Sequence, residues 1–255
     1  MEKRTDKNIY TIAFAIGMVV VVGSLLAFVA SSLKPKITEN KRIEKQQNIL
    51  YAMGIHENTE SSVAFVADDK VGEEFSKYIT SQFVVNGSSV SEDTEAYLID
   101  VKKEQAKIKN GGQRRLPLFV GEKDSETFYI VPIRGKGLWD AVWAYIAMDQ
   151  DMVILGAYFD HKGETAGLGA NIKERFFMDD FIGEHLLDSS GNFVGVDISK
   201  SNNDPLNSDK IDNQVDAIAG ATITGDGVAA MIRNDLKLYV PYFKNLKNKC
   251  HGKRQ

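Results

Sequence analysis

From Ile9 to Leu33 the chain reads IYTIAFAIGMVVVVGSLLAFVASSL, without one charged residue. Helical residues at about 1.5 Å each carry this run roughly 38 Å, farther than the roughly 30 Å hydrocarbon core of a bilayer, so it predicts a membrane-spanning helix. A cleaved secretory signal is the competing reading, drawing on the basic Lys3, Arg4 and Lys7 and the small residues Ala30, Ser31 and Ser32. The apolar run is much longer than a signal core of about 7 to 15 residues, and a second charged flank follows it at once. Residues 34–50, KPKITENKRIEKQQNIL, are straight-chain charged and amide residues that propagate a helix, with only Ile37, Ile43, Ile49 and Leu50 to face a partner. They predict a polar helical stalk.

Beyond the stalk the periods mix. Ser61–Ala67 predicts a short strand, and Glu73–Phe83 a helix with Phe75, Tyr78, Ile79 and Phe83 on one side. Leu116–Val120 and Glu126–Ile133 predict strands, the second ending or lying at an edge because of Pro132. In LWDAVWAYIAM, Leu138, Val142, Tyr145 and Ile146 recur at helical spacing. Asp151–Phe159 predicts a strand, Ile172–Leu187 a helix, Asn192–Ile198 a strand or hairpin, Ser199–Lys210 a surface loop, and Asp226–Tyr239 a last helix. Antiparallel hairpins among helices predict an α+β fold. The expected order is a leader over 1–8, a spanning helix over 9–33, the stalk, a peripheral lobe over 51–125, a second lobe over 126–248 and a tail over 249–255.

Composition narrows the function. A net charge of −4 offers no basic excess to hold nucleic acid. One cysteine, Cys250, excludes an internal disulfide, and four histidines leave little for a thiolate or imidazole metal site. No glycine fingerprint of the dinucleotide or P-loop kind is present. No acidic residue interrupts residues 9–33, so that helix reads as an anchor rather than an ion path.

Two segments can carry chemistry. In VDAIAGATITGDGV, residues 215–228, a small-residue turn feeds a helix whose first amides lack partners and whose dipole favours an anion. A phosphate fits there. Gly220 and Ala221 leave the Thr222 hydroxyl accessible, and Thr224 is placed to cap the helix; the plain alternative is a capping threonine in a tight turn. In HKGETAGLGA, residues 161–170, three glycines let backbone approach a flat ring, Glu164 and Thr165 offer polar edges, and Leu168 offers an apolar face. A glycine loop packed on its own sheet is the alternative there.

The first segment resembles the flavinylation motif Asp-x-x-Ser/Thr-Gly-Ala-Thr of membrane FMN-binding proteins, with Asp216, Gly220, Ala221 and Thr222 in place and Ala219 where Ser or Thr is usual. The second resembles the Glu-Thr-x-Gly-Leu-Gly element of the same proteins, preceded by their Gly-Leu-Trp segment at residues 137–139. With the anchor and stalk in order, the chain over about 8–248 resembles the family of C subunits of Na+-translocating NADH:quinone reductases. The resemblance implies one FMN joined through its phosphate to Thr222 by a flavin transferase, with Asp216 serving that transfer. It also implies a pocket of Trp139, Glu164, Thr165, Leu168, Gly220, Ala221 and Thr224, with Lys200 near the ring or phosphate, and no catalytic or metal-ligating residue. It implies electron relay from NADH toward quinone beside the other subunits, in a bacterial inner membrane. Flank charges, with Lys34, Lys36, Lys41, Arg42 and Lys45 after the helix, lean toward an inside domain; the resemblance implies the periplasmic side. The G subunit of an Rnf-type ferredoxin:NAD complex and a non-redox membrane-tethered scaffold are the alternatives.

Overall fold

The computed structural model describes residues 8–59, 62–87, 89–200 and 207–252. The expected leader, Asn8 apart, and the tail beyond Gly252 lie outside them. Two compact units are present, Met1–Ile43 and Glu44–Gln255.

The apolar run and the polar stretch after it form one unbroken helix, α1 (Asn8–Ala52), with Pro35 inside it. It is the one helix among the described residues long and apolar enough to cross a membrane. Phe14, Val19, Leu26 and Phe28 stand exposed around it, as side chains that face lipid must.

The last turns of α1 belong to the second unit. Gln46 and Asn48 through Ala52 are buried, so the end of the expected stalk is core. Gln47 Nε2 donates to the Val66 carbonyl at 2.8 Å and to Asp68 at 2.9 Å, and Tyr51 packs with Phe65 and Tyr158 at 5.4 Å between centroids. Gly156 makes room for the helix end, because a Cβ there would come 2.3 Å from the Ala52 carbonyl oxygen.

Six antiparallel strands form the central sheet: β1 (Ile79–Asn86), β2 (Ser89–Glu92), β3 (Leu116–Lys123), β4 (Glu126–Lys136), β5 (Ala141–Met148) and β6 (Ile154–His161), in the order β2-β1-β3-β4-β5-β6. The boundary expected at residue 125 falls in the turn between β3 and β4, and the sheet runs through it. The short helices α2 (Val71–Tyr78) and α3 (Val101–Lys109) belong to the β1–β3 side, and α4 (Arg175–Asp180) follows β6. A parallel two-residue pair, β7 (Asp197–Ile198) with β8 (Gln214–Val215), leads to α5 (Thr222–Leu236) and α6 (Val240–Gly252).

Pairing of β3 with β4 stops at Phe119–Ile130. Continued by two residues, the register would set Pro117 opposite Pro132, neither with an N–H to give the ladder. The Tyr239 hydroxyl instead donates to the Pro117 carbonyl at 2.8 Å. Pro132 therefore sits inside β4, where the strand has lost one neighbour and keeps Tyr145 of β5 on the other side.

Both faces of the sheet are covered. Gly156, Ala147 and Ile130 lie across from one another under the end of α1, whereas Gly135, of opposite pleat parity to Ile130, lies under Met231 of α5. This explains the largest departure from the pattern reading. The helix expected over Leu138–Met148 is a tight turn followed by β5, which is apolar at nearly every position because both its sides are buried. Other elements also differ. The helix expected to reach Phe83 ends at Tyr78, where Ile79, Thr80, Val84 and Val85 favour strand. Val63–Ala67 form no strand. The helix expected over Ile172–Leu187 is a 3-10 turn at Gly169–Lys173 and the six-residue α4, and the strand expected over Asn192–Ile198 is only β7.

Candidate functional site

Helix α5 sits against β4 through its glycines. A Cβ at Gly227 would come 2.3 Å from the Lys136 carbonyl oxygen, and one at Gly135 would come 2.7 Å from Met231 Cβ. This close approach fixes the height of α5 over the end of the sheet, next to the 137–140 turn.

The helix begins at Thr222, four residues before the Asp226 that the pattern predicts. Gly220 takes the left-handed conformation at φ 72°, Ala221 stands at the cap position with no side-chain bond, and Thr222 is the first helical residue. Gly225 N–H is the first to find an intrahelical carbonyl, that of Ala221 at 2.9 Å. The amides of Thr222, Ile223 and Thr224 therefore have no protein acceptor among the described residues, and Thr222 is exposed beside them. Three open donors and the positive end of a 15-residue helix suit a phosphate on that hydroxyl. The residues present fit an FMN phosphoester.

Thr224 is not the cap expected of it. It is 1% exposed and its hydroxyl donates to Glu164 Oε2 at 2.6 Å. Glu164 in turn accepts the backbone N–H groups of Trp139 at 3.0 Å, Asp140 at 3.3 Å and Leu138 at 3.3 Å. Burial opposes charge on this carboxyl, yet the Thr224 hydroxyl and the Trp139, Asp140 and Leu138 amides outweigh it and hold its pKa below the ordinary value. It is a carboxylate at neutral pH. Trp139 Nε1 donates to Thr165 Oγ1 at 3.1 Å, while the indole itself is 67% exposed. Leu168 packs over Gly220, where a Cβ would come 2.8 Å from Leu168 Cδ2.

The structure thus joins Trp139, Glu164, Thr165, Leu168, Gly220, Ala221 and Thr224 around Thr222. Lys200 is exposed in the bend after β7, two residues past Ile198, which packs on Gly225. No hydrogen bond or ion pair joins Lys200 to the other site residues among the described ones. The Asp216 N–H donates to Asp180 Oδ2 at 2.8 Å. Two apolar neighbours were missed by sequence reasoning, Leu138 and Ile223, which stand 42% and 57% exposed beside the same residues. Their signal was their adjacency to Trp139 and Thr222, but exposure is not written in sequence.

An α+β domain with an open threonine at a helix start, bordered by exposed apolar side chains, suits an anion joined to a flat ring, and residues 137–237 match the model of the FMN-binding domain family. With α1 ahead of it, the class is a membrane-anchored FMN-binding protein. The crystal structure of the C subunit of the Na(+)-translocating NADH-quinone reductase from Parabacteroides distasonis is 31% identical, with TM-score 0.69 over 83% of this chain and 96% of that one. That of Shewanella oneidensis NqrC is 25% identical, with TM-score 0.64 over 82% and 99%. The corresponding C subunit of the Pseudomonas aeruginosa reductase is 29% identical over 236 residues, 86% of this chain and 87% of that protein. The chain belongs to the family of C subunits of Na+-translocating NADH-quinone reductases.

Proposed function

We propose that this chain holds one FMN as a phosphoester on Thr222 and relays electrons within a Na+-translocating NADH:quinone reductase of the inner membrane, its flavin unit outside the cytoplasm. The observation that carries the reading is the Thr222 hydroxyl, exposed at the start of α5 beside three amides without acceptors. FMN supplies reversible electron transfer; the protein supplies position, electrostatics and access. NADH oxidation and quinone binding fall to other subunits of the complex.

During maturation the Thr222 oxygen attacks the flavin-side phosphorus of FAD on a flavin transferase. The pyrophosphate P–O bond breaks, AMP leaves, and the hydroxyl proton passes to a base, with Asp216 serving this transfer. The three open amides would hold the resulting phosphate charge. Ala219 withholds one hydroxyl from the motif and leaves the attachment oxygen unchanged. Trp139, Thr165, Leu168, Leu138 and Ile223 would border the flavin and limit water, and Lys200, exposed just after β7, would be the nearby cation for the ring or phosphate. Division into a peripheral lobe over 51–125 and a flavin-bearing lobe over 126–248 belongs to the same reading, with the sheet as the shared frame.

Chain co-expressed with its flavin transferase should keep flavin fluorescence in a denaturing gel, and Thr222→Ala should abolish it. Fluorescence that persists in this variant would reject the assignment.

A further inference from the structure

Glu164 makes one contact set more than a loop carboxylate needs. Its two oxygens offer about four acceptor positions, and four donors take them: Trp139 N and Asp140 N on Oε1, Leu138 N and Thr224 Oγ1 on Oε2. No acceptor position is left for a ligand. The surroundings are shaped to it, since a Cβ at Gly137 would come 2.6 Å from Oε1 and one at Gly169 would come 2.8 Å from Oε2 and 2.4 Å from Thr224 Oγ1. The carboxylate therefore ties together three segments distant in sequence: the 137–140 turn, the 164–169 loop and the first turn of α5.

We infer that Glu164 is a positioning residue, not a flavin ligand: its carboxylate fixes the Trp139 turn against the first turn of α5, so setting the direction of the Thr222 hydroxyl, and its fixed negative charge beneath the site holds the flavin's reduction potential down. The inference rests on the reading of Thr222 as the attachment residue. Thr224 is the other half of the clamp, acting through Glu164. Loss of either partner loosens the helix start relative to the turn. Loss of the charge with the side chain's size kept, as in Glu164→Gln, leaves most of the clamp and makes reduction, which adds negative charge to the flavin, easier.

The test compares the native chain with Glu164→Gln, Glu164→Ala and Thr224→Val, each produced with the flavin transferase. Three quantities are read: the rate of flavin attachment at Thr222, the midpoint potential of the attached flavin, and amide exchange at Leu138, Trp139 and Asp140 in the chain before attachment. Glu164→Ala and Thr224→Val should slow attachment about tenfold, the scale of one lost hydrogen bond to a charged group. Glu164→Gln keeps an oxygen for the Trp139 and Asp140 amides and an NH2 that can donate to Thr224 Oγ1 but cannot accept from Leu138 N–H; it should recover part of that rate while shifting the potential positive. Native attachment rates in both the alanine and valine variants, or an unshifted potential in Glu164→Gln, would overturn the inference. If Glu164→Ala does not fold, Thr224→Val and Glu164→Gln still decide it. A native chain that takes no flavin at Thr222 would instead defeat the functional reading. The clamp is then judged by exchange: faster exchange confined to residues 138–140 in the variants supports it, and unchanged exchange rejects it.

Discussion

Glu184 is wholly buried, and its Oε1 accepts from Asn207 Nδ2 at 2.9 Å with Lys210 Nζ 4.0 Å away, while Oε2 has no hydrogen-bond partner among the described residues. Burial raises its pKa to about 7; Asn207 and Lys210 lower it, and Asp212 and Asp180 raise it further. Because the folded value lies above the unfolded one, the native state binds the extra proton, and this group's contribution falls as pH rises from the ordinary carboxyl range through about 7. Glu184→Gln should match the native chain in thermal stability at pH 5 and exceed it at pH 8, by roughly 2–4 °C for each kcal/mol gained. An equal difference at both pH values would contradict this. Thr222 was legible in sequence because its neighbours are small and a helix follows; Glu164 was legible as a polar residue in the right loop. Its role was not, because the bonds that consume its acceptors come from backbone N–H groups 24 to 26 residues away and from Thr224, 60 residues on.

At the scale of elements, α5 is held at both ends. Its start is tied through Thr224 to Glu164, and its end through Asp235, which is 4% exposed. The Asp235 carboxylate accepts from Arg114 Nη1 at 2.7 Å and Nη2 at 3.0 Å, from Gln105 Nε2 at 3.1 Å and from Arg134 N–H at 3.0 Å. Asp235→Ala would leave the Arg114 guanidinium buried without its partner, costing about 3–5 kcal/mol. Urea unfolding should show that loss as a lower midpoint, and an unchanged midpoint would remove Asp235 from the account. The pattern reading found β3, β4, β6 and α5 because each shows a clear period or β-branched content. It failed at β5, where burial on two faces erases the period of two and leaves Leu138, Val142, Tyr145 and Ile146 at a spacing that imitates a helix. It overran at α4, where Ile172, Phe177 and Phe181 are buried by contacts outside any single helix, Phe159 of β6 meeting Phe177 edge-on and Phe181 at a tilt.

For the whole molecule, the anchor was plain in sequence because a charge-free run of that length has few other uses, and the candidate site was singled out by the resemblance of its two short segments to family motifs. What sequence could not give was where the anchor helix stops being anchor. Residues 44–255 form one compact unit that includes the last turns of α1, with Ile49, Leu50 and Ala52 at 0% exposure. A chain cut to 44–255 should be soluble and fold cooperatively. A chain cut to 53–255 should lose the side chains that cover Gly156, Ala147 and Ile130 and aggregate; equal solubility and equal unfolding midpoints of the two would contradict that.

The central claim is a covalent bond between the Thr222 oxygen and a flavin phosphate. Mass analysis of the peptide containing Thr222, cut from protein taken out of its native membrane, tests it directly. The account predicts the mass of that peptide plus one esterified FMN, with fragmentation placing the addition on Thr222; the bare peptide mass, or an addition placed on Thr224, would contradict it.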